Sequence, residues 1–149
     1  MEFGRIGCIK RQFALKPTPT DSTNQFTFEF ANGVRLTAPE VQATLSPGDA
    51  LTVALKWEAT RSITNRVTIF LHGQAADGAL IFGRDSEPDN GFSLVTDWKV
   101  GEPHAESRGA IIPPGTPPGR YSMSVGLYET ATGEVIEGSP VMIGVLTVK

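Results

Sequence analysis

Apolar and polar residues alternate most strictly in the segment RYSMSVGLYE, residues 120–129. One face of this segment carries Tyr121, Met123, Val125 and Leu127, and the opposite face carries Ser122, Ser124, Gly126 and Tyr128. The segment lies between the turn dipeptides PG at 118–119 and TG at 132–133. Alternation with a period of two residues between such turns is typical of a half-buried antiparallel strand. The pattern therefore predicts an all-β domain.

The same alternation recurs along most of the chain. Further strands are predicted at residues 26–30, 34–38, 51–59, 66–74, 80–84, 105–112 and 141–148. Asn32-Gly33 predicts a type I′ turn between the first two of these strands. Apolar residues occupy both faces of segment 66–74, which is therefore predicted as a central strand. Segment 105–112 is predicted as an edge strand because Pro113 ends it, and residues 85–103 are predicted to be irregular.

About eight short strands at close intervals predict an antiparallel immunoglobulin-like or fibronectin-like β-sandwich. The predicted core consists of Leu51, Val53, Leu55, Trp57, Val67, Ile69, Leu71, Tyr121, Met123, Val125, Leu127 and Val145. We assign residues 26–149 to this domain. Residues 1–25 are predicted to form a basic, Pro/Thr-rich arm or linker, because they include PTPTDSTN and carry four basic and two acidic residues.

Composition narrows the function classes. The 149-residue chain has a formal net charge of −3, which argues against nucleic acid as a partner. Its single cysteine, Cys8, permits no internal disulfide, and no segment approaches the roughly 20 apolar residues of a membrane-spanning helix. The sequence has no Gly-x-Ser-x-Gly motif and no phosphate-binding loop. We therefore expect no enzymatic activity and no cofactor.

Metal-binding residues are few. His72 and His104 lie on different segments and Cys8 lies in the arm, so the residues needed for a zinc site are not grouped. Three carboxylates in the irregular segment, Asp85, Glu87 and Asp89, are candidates for calcium, which prefers oxygen ligands on loops. A solvated acidic loop is the alternative that we favour.

A sugar-binding site is the best positive hypothesis from the residues. Trp98 lies in the irregular segment, where an exposed indole would stack on a sugar ring while Asp97, Asp89, Asn90 and Tyr128 hold its hydroxyl groups. The alternative, which we favour, is that Trp98 packs back over the end of the sandwich. Trp57 is assigned to the core.

Several motifs together resemble one family of bacterial domains. The matching residues are LSPGDAL at 45–51, LKWEA at 55–59, FLH at 70–72, DG at 77–78, Asp85, Pro88, Gly91, Thr96, Trp98, GE at 101–102, PPGRY at 117–121, VGLY at 125–128 and TGE at 132–134. In order and spacing they resemble the C-terminal, extracytoplasmic β-sandwich domain of membrane glycosyltransferase-like proteins of the protein-mannosyltransferase type. Ala75 departs from the family pattern, which usually has an acidic residue there.

The resemblance implies a non-catalytic accessory module on the outer side of a bacterial membrane. Such a module would be attached to a membrane protein and would contact a glycan or a protein partner. The alternative is a purely structural or protein-interaction domain, similar to protease inhibitors or to calcium-dependent adhesion modules.

Overall fold

The computed structural model describes residues 25–149, which form two packed β-sheets. Their nine strands are β1 (Gln25–Glu29), β2 (Val34–Pro39), β3 (Val41–Leu45), β4 (Ala50–Ala59), β5 (Val67–Gln74), β6 (Leu80–Ser86), β7 (His104–Ile111), β8 (Gly119–Glu129) and β9 (Val141–Val148). One sheet has the order β1-β2-β4-β7, and the other has the order β3-β9-β8-β5-β6. The predicted all-β sandwich is confirmed. The predicted basic arm with Cys8 lies outside the described residues, apart from Gln25, which begins β1.

The core lies between the two sheets and follows the predicted alternation. Trp57 and Leu127, from facing sheets, have relative exposures of 1% and 0%. β5 runs between β8 and β6, which confirms its prediction as a central strand, and β7 is an edge strand as predicted. The Tyr121 hydroxyl donates a hydrogen bond to the carbonyl of Pro117 at 2.5 Å. This is the tyrosine corner that immunoglobulin-like sandwiches place at the start of the corresponding strand.

β3 was not predicted. The chain crosses from one sheet to the other at Glu40, so that β2 and β3 follow each other closely yet belong to different sheets. β3 then pairs in parallel with β9, from Val41 opposite Gly144 to Leu45 opposite Val148. All other strand pairs in the described chain are antiparallel.

Two local predictions were wrong. Val145 is only partly buried, because an irregularity in the β8–β9 register shifts the alternation along β9. The shift places Leu146 and Val148 in the core instead. In the first hairpin, Gly33 alone has positive φ (+99°), whereas a type I′ turn needs positive φ at Asn32 as well.

Two short 3-10 helices, Pro88–Gly91 and Val95–Asp97, interrupt the irregular segment between β6 and β7. We call residues 87–103 the β6–β7 loop. Among residues 25–149, no helix has the length and apolar character required to cross a membrane. The loop is held to the sandwich by buried Pro88, Val95 and Trp98.

Candidate functional site

The candidate site lies on the outer face of the five-stranded sheet, away from the core. Alternation along β5 turns Phe70 and His72 outward while Ile69 and Leu71 point inward. Phe70 is opposite Gly126 on β8 and opposite Asp85 on β6. The adjacent strands β8, β5 and β6 therefore bring an aromatic residue, a glycine and a carboxylate into one transverse row.

Two glycines leave space for the rings. A Cβ atom on Gly126 would lie 2.2 Å from Cζ of Phe70, and one on Gly83 would lie 2.8 Å from Cδ2 of His72. Because neither position has a side chain, the two rings rest against the backbone of the neighbouring strands. Aromatic side chains packed over glycine in this way stabilise a sheet where the glycine itself would weaken it.

Asp85 joins two of the rings through hydrogen bonds. His72 Nε2 donates to Asp85 Oδ1 at 3.2 Å, and the Tyr128 hydroxyl donates to Asp85 Oδ2 at 3.2 Å. The Phe70 centroid lies 4.4 Å from that of His72 and 6.2 Å from that of Tyr128, with interplanar angles of 32° and 21°. We call Phe70, His72, Asp85 and Tyr128 the outer-face cluster.

The polar groups of the outer-face cluster are accessible, whereas its apolar centre is not. The side chains of Asp85 and His72 are 41% and 24% exposed, and Phe70 is 7% exposed. Burial raises the pKa of the Tyr128 phenol, and the nearby negative charge of Asp85 raises it further. Tyr128 therefore remains a hydrogen-bond donor at neutral pH, and Asp85 retains lone pairs that face solvent.

The residues of the predicted sugar site lie in two separate places in the structure. Tyr128 belongs to the outer-face cluster, whereas Trp98, Asp97, Asp89 and Asn90 lie in the β6–β7 loop. Trp98 is only 7% exposed, stacks on His104 at 4.5 Å and donates from Nε1 to Ser93 Oγ at 2.9 Å. The indole therefore packs within the loop, which is the alternative that we favoured from the sequence, and it leaves little ring surface open for a sugar.

The remaining loop candidates have separate partners. The backbone N–H of Asp89 donates to Glu106 Oε1 at 3.1 Å, and Asn90 Oδ1 accepts a hydrogen bond from Arg84 at 2.8 Å. Asp97 is exposed in the second 3-10 helix. These residues do not form a common binding surface with Tyr128.

The predicted calcium ligands do not converge. Asp85 accepts hydrogen bonds from His72 and Tyr128, whereas Glu87 forms an ion pair with Arg66. The backbone of Asp89 instead contacts Glu106. Across residues 25–149, no group of three or more histidine, cysteine or acidic side chains is arranged to hold a metal ion. The calcium interpretation of Asp85, Glu87 and Asp89 therefore has no structural support.

Sequence reasoning missed Phe70 and His72 as site residues. A signal was present, because alternation places both on the outward face of β5 and places Tyr128 on the outward face of β8. Their partnership with Asp85 depends on the β5–β6 register, which no local pattern encodes.

Solved structures show a similar fold. The C-terminal domain of wzt has a TM-score of 0.55 and 12% identity, with 85% of this chain and 79% of that chain covered. A Niemann-Pick type C2 protein from Japanese carpenter ant has a TM-score of 0.50 and 10% identity, with 89% and 100% covered. A family 123 glycoside hydrolase from Clostridium perfringens has a TM-score of 0.47 and 13% identity, with 72% of this chain but 23% of that chain covered.

No family model matches this chain, and no curated protein matches it. At identities of 12% and 10%, the likeness to the first two structures establishes the β-sandwich fold and nothing about the ligand or the activity.

Proposed function

We propose that this domain is a non-catalytic binding module that takes a glycan on the outer-face cluster. The observation that carries the proposal is the juxtaposition of three aromatic rings with one accessible carboxylate. Glycan sites need apolar ring surface for the C–H faces of a sugar and polar groups for its hydroxyls. Here Tyr128 and His72 supply the first, and Asp85 supplies the second.

The polar groups of the cluster are suited to binding. Asp85 accepts hydrogen bonds from His72 and Tyr128 and remains open to solvent for a further donor. The sequence resemblance described above supports placing the module on the outer side of a bacterial membrane, attached to a membrane protein. We propose that it serves such a protein as an accessory domain.

A glycan array tests the proposal directly. We expect the folded wild-type chain to bind a subset of oligosaccharides, and Tyr128→Ala to weaken that binding by about tenfold or more, since aromatic contacts in binding sites are worth about 1–3 kcal/mol. Phe92→Ala is the matched control, because it removes an aromatic ring that is 88% exposed elsewhere on the surface.

Circular dichroism and thermal melting establish that both variants are folded. An array without binding by the wild type would overturn the proposal. Binding that is equal in wild type and Tyr128→Ala would show that the outer-face cluster is not the site.

A protein-contact function is a second candidate, and Phe92 favours it. This residue is 88% exposed, although the loop that carries it is anchored by buried Val95 and Trp98. Two non-glycine residues with positive φ, Asp89 (52°) and Asn90 (55°), precede it. Exposed aromatic residues on well-anchored loops often contribute much of the binding free energy at protein interfaces.

Site-specific photocrosslinking distinguishes this candidate. A crosslinking amino acid at position 92 of the full chain, in its native host, is expected to capture a specific protein. The same group at Asp97, an exposed position of the same loop, is the control. Equal capture at both positions would refute a contact centred on Phe92.

A further inference from the structure

The charge of the outer-face cluster is carried by Asp85. Both of its hydrogen-bond donors, a phenol and an imidazole, lack the permanent positive charge of lysine or arginine. Asp85 is therefore an accessible carboxylate that lies beside aromatic rings without a fixed cation as its partner. Such a site disfavours an anionic ligand through like-charge repulsion.

The arginines nearest in sequence to the cluster are engaged elsewhere. Arg66 hydrogen-bonds to Glu87, and this contact lowers the pKa of the Glu87 carboxyl. Arg84 is opposite the inward-facing Leu71, so its side chain leaves β6 on the other face of the sheet, where it donates to Asn90. Neither guanidinium neutralises Asp85.

We infer that the glycan bound by the outer-face cluster is an amino sugar whose free amine is protonated. This inference rests on the proposed function and specifies its substrate class. An ammonium group gains an ion pair with Asp85 and a cation–π contact with the Tyr128 face. The sugar ring that carries the ammonium supplies the C–H surface that stacks on the remaining aromatic area.

The test compares four probes by isothermal titration at neutral pH and low salt. They are a glucosamine oligomer, its N-acetylated counterpart, a galacturonic acid oligomer and a lysine oligomer. We expect the glucosamine oligomer to bind about tenfold more tightly than the N-acetylated form, and this preference to decrease as salt is added. The lysine oligomer is expected to bind more weakly because it has no ring to stack.

Asp85→Asn isolates the carboxylate. The variant is expected to lose the preference for the free amine while it still binds the N-acetylated oligomer, which shows that the aromatic surface is intact. Asp97→Asn is the matched control, since it removes an exposed carboxylate from the β6–β7 loop. It is expected to retain the preference.

The outcomes separate this inference from the proposed function. Equal or tighter binding of the N-acetylated or galacturonic oligomer, still sensitive to Tyr128→Ala, would overturn the amino-sugar inference and leave glycan binding intact. Equal binding of the lysine oligomer would overturn it in favour of a protein ligand. Failure of the folded wild type to bind any of the three sugars would overturn both.

Discussion

The buried ion pair between Glu106 and Arg108 gives the sharpest prediction about stability. Both residues project from β7 into the sandwich, where their side chains are 7% and 3% exposed. The Arg108 guanidinium donates to the carbonyls of Ile69 on β5 and Ser86 on β6 at 3.1 and 3.3 Å. The pair therefore connects the two sheets along the edge where the β6–β7 loop begins.

Glu106 also organises its surroundings. Its carboxylate accepts hydrogen bonds from Arg108, from Trp57 Nε1 at 2.9 Å and from the backbone N–H of Asp89 at 3.1 Å. Glu106→Gln removes the negative charge but keeps the shape and one acceptor oxygen. The guanidinium is then left charged and uncompensated in the interior, which costs about 3–5 kcal/mol. For a domain of this size the loss corresponds to a melting temperature lower by about 10–20 °C.

Urea unfolding followed by circular dichroism measures the effect, with Arg108→Met and the double variant completing a thermodynamic cycle. We expect the double variant to recover most of the stability that Glu106→Gln loses, because it buries no lone charge. Glu87→Gln is the control, since its partner Arg66 is exposed and its loss should matter much less. A Glu106→Gln protein within about 1 kcal/mol of wild type would refute the assignment of a buried, charged Arg108.

Three further predictions follow from single contacts. Trp57→Ala is expected to cost about 3–5 kcal/mol by leaving a cavity in the core, and a urea midpoint close to that of wild type would contradict its burial. In a Tyr121→Phe variant, Tyr128 is the one tyrosine left, so the rise of phenolate absorbance with pH reports its titration alone. We expect the pKa from this titration to lie above the ordinary tyrosine value of about 10. The stability that this phenol contributes is accordingly present below about pH 10 and is lost as pH rises through its raised folded-state pKa; a titration at or below the ordinary value would contradict the prediction. Gly126→Ala should displace the Phe70 ring, lower the free energy of unfolding by about 1–3 kcal/mol and weaken glycan binding. An unchanged melting temperature and an unchanged affinity would contradict that ring position.

The two-sheet architecture was predictable because each strand carries its own pattern. The alternation around Met123 and Val125, and the apolar residues on both faces of β5, identify strands and their inward faces without knowledge of their partners. β3 was missed because it is five residues long and directly follows another strand after a single residue. Its partner, β9, lies about a hundred residues further along the chain, so no local signal specifies the parallel pairing.

The site was less accessible to sequence reasoning for a similar reason. The outward face of Tyr128 follows from alternation, but its contact with Asp85 requires β8, β5 and β6 to be adjacent and in one particular register. Trp98 illustrates the converse problem. A tryptophan among polar loop residues suggests an exposed ring that stacks on a ligand. The stacking of Trp98 on His104, which depends on how the loop folds, shows that it is a packing residue.

The parallel pairing of β3 with β9 has a mechanical consequence. Val41 lies opposite Gly144 and Leu45 lies opposite Val148, so both strands run in the same direction. Tension applied between Glu40 and Lys149 pulls the two strands past each other along their axes, and it loads the hydrogen bonds of the whole pair at once. An antiparallel hairpin such as β1–β2, pulled from its two open ends, would instead separate one bond at a time. A domain that is anchored before β3 and stretched from its far end would therefore resist extension through this one strand pair.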